Sequence, residues 1–185
     1  MPATIYTIGH SVHTLERLGD LLVANQIDLV VDVRSYPVSG RHPHFNHAPM
    51  KEWLAGLEIS AVYRGEEVGG RPRSRDFYDA SGFVRYDLIS QTRGYLATID
   101  WLIKQSQNNR VALLCGEEDP THCHRRRLIG RTLTQLGIEL AHIRGGGHVQ
   151  MEQLVPLFGG IGQVELFDTA DNQNWRSSAA MATEY

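Results

Sequence analysis

Val111-Ala112-Leu113-Leu114-Cys115 is a five-residue apolar run closed by the polar stretch Gly116-Glu117-Glu118-Asp119-Pro120. A run this short and this continuously apolar fits a strand buried on both faces of a parallel sheet, whereas a helix would need roughly ten residues or more. After it, residues 122–136 carry a helical pattern that leads through Gly137 into a further strand, Ile138 to Ile143. Strand, helix and strand in that order predict a βαβ unit.

The same alternation runs back towards the amino terminus. Thr4 to Ile8 reads as a first strand, and Leu15, Leu18, Leu21 and Leu22 recur at helical spacing after Thr14, a good N-cap. Leu29 to Val33 is a second strand, a nearly unbroken aliphatic run broken at Asp32, and a Pro-, His- and Asn-rich loop follows to about residue 47. A short helix around Met50 to Leu57 and a strand from Ile59 to Tyr63 come next. Gly65 to Gly82, with Gly69-Gly70, Pro72 and many charges, reads as a functional or mobile loop. Residues 83–106 predict a helix interrupted near Gly94, with Leu96, Ile99, Leu102 and Ile103 facing inward. A last helix is expected over Val149 to Phe158, and no structure from about Asp171. The expected fold is α/β, a single domain with a mainly parallel sheet flanked by helices, a Rossmann-like three-layer sandwich. It occupies residues 1–158, and residues 159–185 form a C-terminal extension, poorly ordered at its end.

Composition narrows the function classes. A chain of 185 residues with 42% hydrophobic content suffices for one core and leaves little for a second. A formal charge of −3 gives no global attraction to polyanions, so anion binding must come from local clusters such as Arg71, Arg73 and Arg75, or Arg125 to Arg127. The start of the chain lacks a basic region followed by a long apolar run, and no apolar stretch approaches the roughly 18 residues of a span. A cytoplasmic location without membrane contact is therefore expected. Cys115 and Cys123 are the two cysteines, and in that compartment they are expected to stay reduced.

The unusual polar residues fall at the carboxyl ends of the expected strands, where open parallel sheets bind ligands. They are Gly9-His10-Ser11, Asp32-Val33-Arg34-Ser35, Cys115-Gly116-Glu117-Glu118, and His142 with Arg144. Taken singly, each is most simply a loop cap; their coincidence raises the odds of a site. His10, Asp32, Arg34, Cys115 and Glu117 are thus expected around one cleft.

Several motifs in order are also recognisable: Thr7-Ile8-Gly9-His10-Ser11, Asp32-Val33-Arg34-Ser35 with Pro37, Phe45-Asn46, Gly69-Gly70-Arg71, and Cys115-x-Glu117-x-x-Pro120-x-x-Cys123-His124-Arg125. Together they resemble the DUF488 family (domain of unknown function 488) from about residue 4 to residue 144. The resemblance implies little about mechanism. In one place the chain departs from the family pattern, with Ser39-Gly40-Arg41 where relatives carry a Ser-Arg pair after Pro37.

Pro120 and Thr121 predict a helix start that puts His122, Cys123, His124 and Arg125 in its first turn, with Thr121 as cap. There Cys123 is expected to be the more reactive thiol and Cys115 to be buried and quiet. Arg125 is expected to pair with Glu117, Glu118 or Asp32, since a cation in a first turn needs a partner. Three chemistries compete. A thiol nucleophile, Cys115 or Cys123, is disfavoured by the repulsion of Glu117, Glu118 and Asp119 towards an anion. A metal site drawn from Cys115, Cys123, His122, His124 or His10 matches no common zinc spacing, and two of its ligands are adjacent. No metal ligand and no cofactor is assigned on this basis, zinc or another divalent ion being left open. Hydrolysis by carboxylates fits the acidic loop best, with Glu117, Asp32, His10 and His124 catalytic and Ser11, Arg34, Phe45, Asn46, Gly70, Arg71 and Arg125 binding substrate. Arginines interleaved with Tyr36, Phe45, Tyr63, Phe77 and Tyr78 suit phosphates and stacked bases, and the loop from His42 to His47 could receive a base taken out of its stack. The expectation is an enzyme acting on a nucleotide or nucleic-acid base, hydrolysing an N-glycosidic bond as a DNA glycosylase does. Its rivals are a non-catalytic nucleic-acid-binding module and a thiol- or metal-dependent enzyme.

Overall fold

The computed structural model describes residues 3–152 and 175–181. Among them six strands form one sheet in the order β3-β2-β4-β1-β5-β6: β1 (Thr4–Gly9), β2 (Leu29–Asp32), β3 (Ser60–Tyr63), β4 (Val111–Cys115), β5 (Glu139–Ile143) and β6 (Val149–Met151). All pairings are parallel except β5 with β6, so the α/β class and the three layers are as expected.

Alternation along the strands sorts the core into two layers. Val111, Leu113 and Cys115 face one side with Val31 and Val33, where they pack against α5 (Arg93–Gln105) and the helix that follows β4. Ala112 and Leu114 face the other side with Val30 and Ile8, against α1 (Leu15–Ala24) and α2 (His47–Ala55). The register then fixes the tips: Gly9 lies beside Cys115, and Asp32 beside Leu114. Pairing continues past the strands, with His10 N–H donating to the Cys115 carbonyl (2.9 Å), Ser11 N–H to that of Gly116 (3.0 Å) and Val33 N–H to that of Leu114 (3.1 Å). β4 sits between β1 and β2, yet its outgoing helix covers the opposite face from theirs. That reversal is the switch point at which such sheets open a crevice.

Several expected elements are corrected. The loop over Gly65 to Gly82 contains a helical turn, α3 (Gly65–Val68), and a 3-10 turn at Arg75–Phe77. The helix expected over residues 83–106 is two, α4 (Tyr86–Ile89) and α5, divided at Thr92, whose hydroxyl caps α5 by accepting from Tyr95 N–H at 3.3 Å. Gly94 is therefore inside α5, and Leu96 is exposed while Tyr95 takes the buried place. The helix after β4 starts as a 3-10 turn, Pro120–His122, capped by Asp119 rather than Thr121; the Asp119 carboxylate accepts from Thr121 N–H at 2.8 Å. After extended Cys123 it resumes as a π-helical stretch, Arg125–Gly130, running into α6 (Arg131–Gln135). Val149–Met151 is an edge strand on β5 instead of the start of a helix, and the remainder of that expected helix lies outside the described residues. Residues 175–181 lie against the body: Trp175 is buried and its indole N–H donates to the Arg127 carbonyl at 2.5 Å. Among the described residues no helix is long and apolar enough to cross a membrane.

Candidate functional site

On the α1/α2 side of the sheet edge, Asp32 is fully buried and holds Arg34 by two bonds, Nε to Oδ1 (2.8 Å) and Nη2 to Oδ2 (2.7 Å). Arg34 Nη2 also donates to the Phe45 carbonyl at 2.7 Å, and His47 Nδ1 lies 3.2 Å from Asp32 Oδ2. Arg34 Nη1 is 3.2 Å from His10 Nε2, and His10 Nδ1 is 3.0 Å from the Ser11 carbonyl. A carbonyl can only accept and a guanidinium only donate, so Nδ1 carries the hydrogen and Nε2 is the acceptor. The His10 ring stacks on Phe45 at 4.3 Å.

Burial first, and then the Arg34 guanidinium, pull the His10 imidazole from 6.5 down to about 4. Between those values the unfolded chain binds a proton that the folded chain refuses. Stability is therefore complete above pH 6.5 and falls as the pH drops towards 4, by about 3 kcal/mol from this group. Thermal melting between about pH 7 and about pH 4 should decline less steeply for His10→Gln than for wild type. His142, also held down by burial, acts alike in both proteins and cancels in the comparison. Parallel declines would mean that His10 is not a buried neutral imidazole.

On the α5/α6 side, His124 Nε2 is 2.8 Å from the Val33 carbonyl, so that nitrogen donates and Nδ1 is turned to the sulfurs of Cys115 and Cys123, each at 3.8 Å. All three residues are buried. Gly70 makes room for the imidazole, since a Cβ there would come within 2.7 Å of His124 Cβ. A hydrogen bond from Cys123, assisted by His124 and the Glu117 N–H, holds the Cys115 thiol well below its ordinary value, while burial and the Cys115 sulfur push Cys123 up. Cys115 is buried, as expected, and Cys123 is buried as well. Cys115 gathers the donors because it ends a strand where the next main-chain N–H groups turn inward, and Cys123 is the donor to it.

The expected set meets at one edge, with different standing for its members. His10, Asp32, Arg34, Cys115 and His124 converge, the two networks joined through Val33. Phe45 is buried under His10, and the Asn46 side chain accepts from Ser39 N–H at 2.6 Å, so both have internal work. Arg125 is almost fully buried and donates to the carbonyls of Glu117 and Glu118, each at 2.6 Å, rather than to their carboxylates or to Asp32. Gly9 permits this close approach: a Cβ there would lie 2.0 Å from the Glu117 carbonyl oxygen and 2.8 Å from Arg125 Nη1. Glu118 accepts from Gly145 N–H at 2.9 Å and lies 3.5 Å from Arg144, whereas Glu117 points to solvent. Ser11 holds a left-handed backbone (φ 45°) at the β1 tip. Arg71 is exposed above the edge, its main-chain N–H bound to Ser35 Oγ at 2.8 Å. His142 turns away from the edge, bonded to the Thr7 hydroxyl (2.7 Å) and Glu152 (3.1 Å). His47 is a further partner of Asp32, from a loop whose histidines look alike in sequence. Cys115, Cys123 and His124 come together out of the wider set of candidate metal ligands once the turn after β4 closes, although two of them are adjacent in the chain.

A three-layer α/β domain with buried polar groups gathered at its topological switch point is the type that offers a ligand or reaction crevice at its strand tips. Residues 14–132, more than half of the chain, match the family model described as Domain of unknown function DUF488. The chain belongs to the DUF488 family, the one its motifs resemble. No curated protein and no solved structure matches it.

Proposed function

We propose that the protein is an enzyme that hydrolyses a bond in a nucleotide or nucleic-acid base, an N-glycosidic bond being the one its parts suit. The observation that carries this reading is the convergence of His10, the Asp32–Arg34 pair, Cys115 and His124 on one sheet edge, from four separate segments. Their burial costs stability that a merely structural edge would not need to spend on so many polar groups. Asp32 is engaged by Arg34 and His47, so it acts as a positioning residue, and Glu117, exposed at the β4 tip, makes no ion pair with a described residue. In the proposed step Glu117 takes a proton from water, whose oxygen bonds to the sugar carbon. The carbon–nitrogen bond breaks, and its electron pair leaves on the base, which is protonated from solvent. Arg71, Arg73 and Arg75 are exposed and make no ion pair with a described residue, which suits a phosphate-bearing substrate.

The test is chromatographic detection of free base after incubation with nucleosides, nucleotides and short oligonucleotides. Wild type should release base, and Glu117→Gln should lower the rate by about 100-fold or more while binding persists. Binding without release, sensitive only to the arginines, would make the protein a nucleic-acid-binding module instead.

A further inference from the structure

We infer that Cys115, Cys123 and His124 form a binding site for a thiophilic divalent cation, zinc being the ion this ligand set suits, with one coordination position left for water. The three ligand atoms all lie within 4.8 Å of one another, and His124 Nδ1 is 3.8 Å from each sulfur. A tetrahedral ion at ordinary Zn–S and Zn–N lengths sets the sulfur–nitrogen separation at about 3.6 Å, so closing on an ion needs shifts of only a few tenths of an ångström there. A disulfide would need the sulfurs at about 2.05 Å, and both thiols are free.

Three further features fit the ion. His124 donates its other ring nitrogen to the Val33 carbonyl, the second contact that metal-bound imidazoles characteristically make, and it selects Nδ1 as the ligand atom. Cys115 and Cys123 are both buried, so the surrounding core holds their sulfurs at the site instead of leaving them on the surface. Adjacent residues Cys123 and His124 can both ligate because the chain turns between them, from extended at Cys123 (φ −103°, ψ 143°) to helical at His124 (φ −61°, ψ −26°). In a continuous helix the two side chains would diverge by about 100°.

Among the described residues no fourth His, Cys, Asp or Glu joins the cluster, and three protein ligands leave an open position of the kind that activates water. A carboxylate that is not a ligand lies close by in the chain, Glu117 following Cys115 by two residues. The role of the ion in catalysis rests on the function proposed above; its binding does not.

The experiment therefore reads metal without substrate. The reduced, full-length chain, prepared without chelator, is analysed for metal by mass spectrometry, and chelator-stripped protein is titrated with cobalt(II). The expected results are one equivalent of zinc per chain and, with cobalt, sulfur-to-metal charge-transfer and tetrahedral d–d bands. Cys123→Ser and His124→Ala should weaken binding by about 10-fold or more, and Glu117→Gln should keep it in full. Should those ligand variants fail to fold, protection of both wild-type thiols from alkylation by zinc alone supplies the same reading. Less than a tenth of an equivalent, no cobalt spectrum and no protection would overturn the site, and so would ready closure of a Cys115–Cys123 disulfide in the presence of zinc. Base release by metal-free protein would take the ion out of catalysis, leaving the proposed hydrolase and the binding site both standing. Metal binding without base release would remove the proposed hydrolase and leave the binding site standing.

Discussion

Arg125→Ala is expected to lower the unfolding free energy by about 3–5 kcal/mol, which for a chain of this size is a fall in Tm of roughly 10 °C. Arg125 is among the largest fully buried side chains of the described residues, so truncation leaves a cavity behind Gly9. It also strands the carbonyls of Glu117 and Glu118, whose two 2.6 Å bonds shape the loop carrying Glu117. Unpaired buried carbonyls cost about 1–3 kcal/mol each, and the loop would relax to reach water. Stability and the site should thus fail together. Arg73→Ala, on an exposed side chain, should stay within about 0.5 kcal/mol of wild type. Equal melting temperatures for the two variants would show that Arg125 is not the pillar of the β4 loop.

Asp32→Asn should cost a similar amount, about 3–5 kcal/mol, for a different reason. The substitution barely changes shape, but it leaves the Arg34 guanidinium buried beside His10 without its counter-charge. An isolated buried charge is penalised more than a pair is rewarded, so the cost lies in what remains and not in what is removed. The additional change Arg34→Met should then recover part of the loss, making the double variant more stable than Asp32→Asn alone. Chemical denaturation of the two single variants and the double variant closes the cycle. Strict additivity would mean that Asp32 and Arg34 contribute independently and that the pair does not anchor the edge.

What the sequence determined by itself was the set of elements with strong local signals. Leu29 to Val33, apart from Asp32, and Val111 to Cys115 are apolar without alternation, which only a strand covered on both faces tolerates, so a parallel α/β sheet and its polar tips were legible. The family was legible too, from motifs in order. Elements whose state depends on distant contacts were not. Val149–Met151 became a strand because β5 offered an open edge, and Trp175 found its place through Arg127 and α4, neither of which its polar neighbourhood announced. At the site, the strand ends named the right residues but not their roles. Whether Arg125 meets a carboxylate or a carbonyl, which thiol is held low, and whether adjacent Cys123 and His124 can share a ligand are set by distances of a few ångströms across the β1–β4 register and the turn after β4. The turn after β4 takes that shape only where it packs on β1 and β2, more than 80 residues away in the chain, because hydrogen bonds and desolvation act through space and not along the sequence.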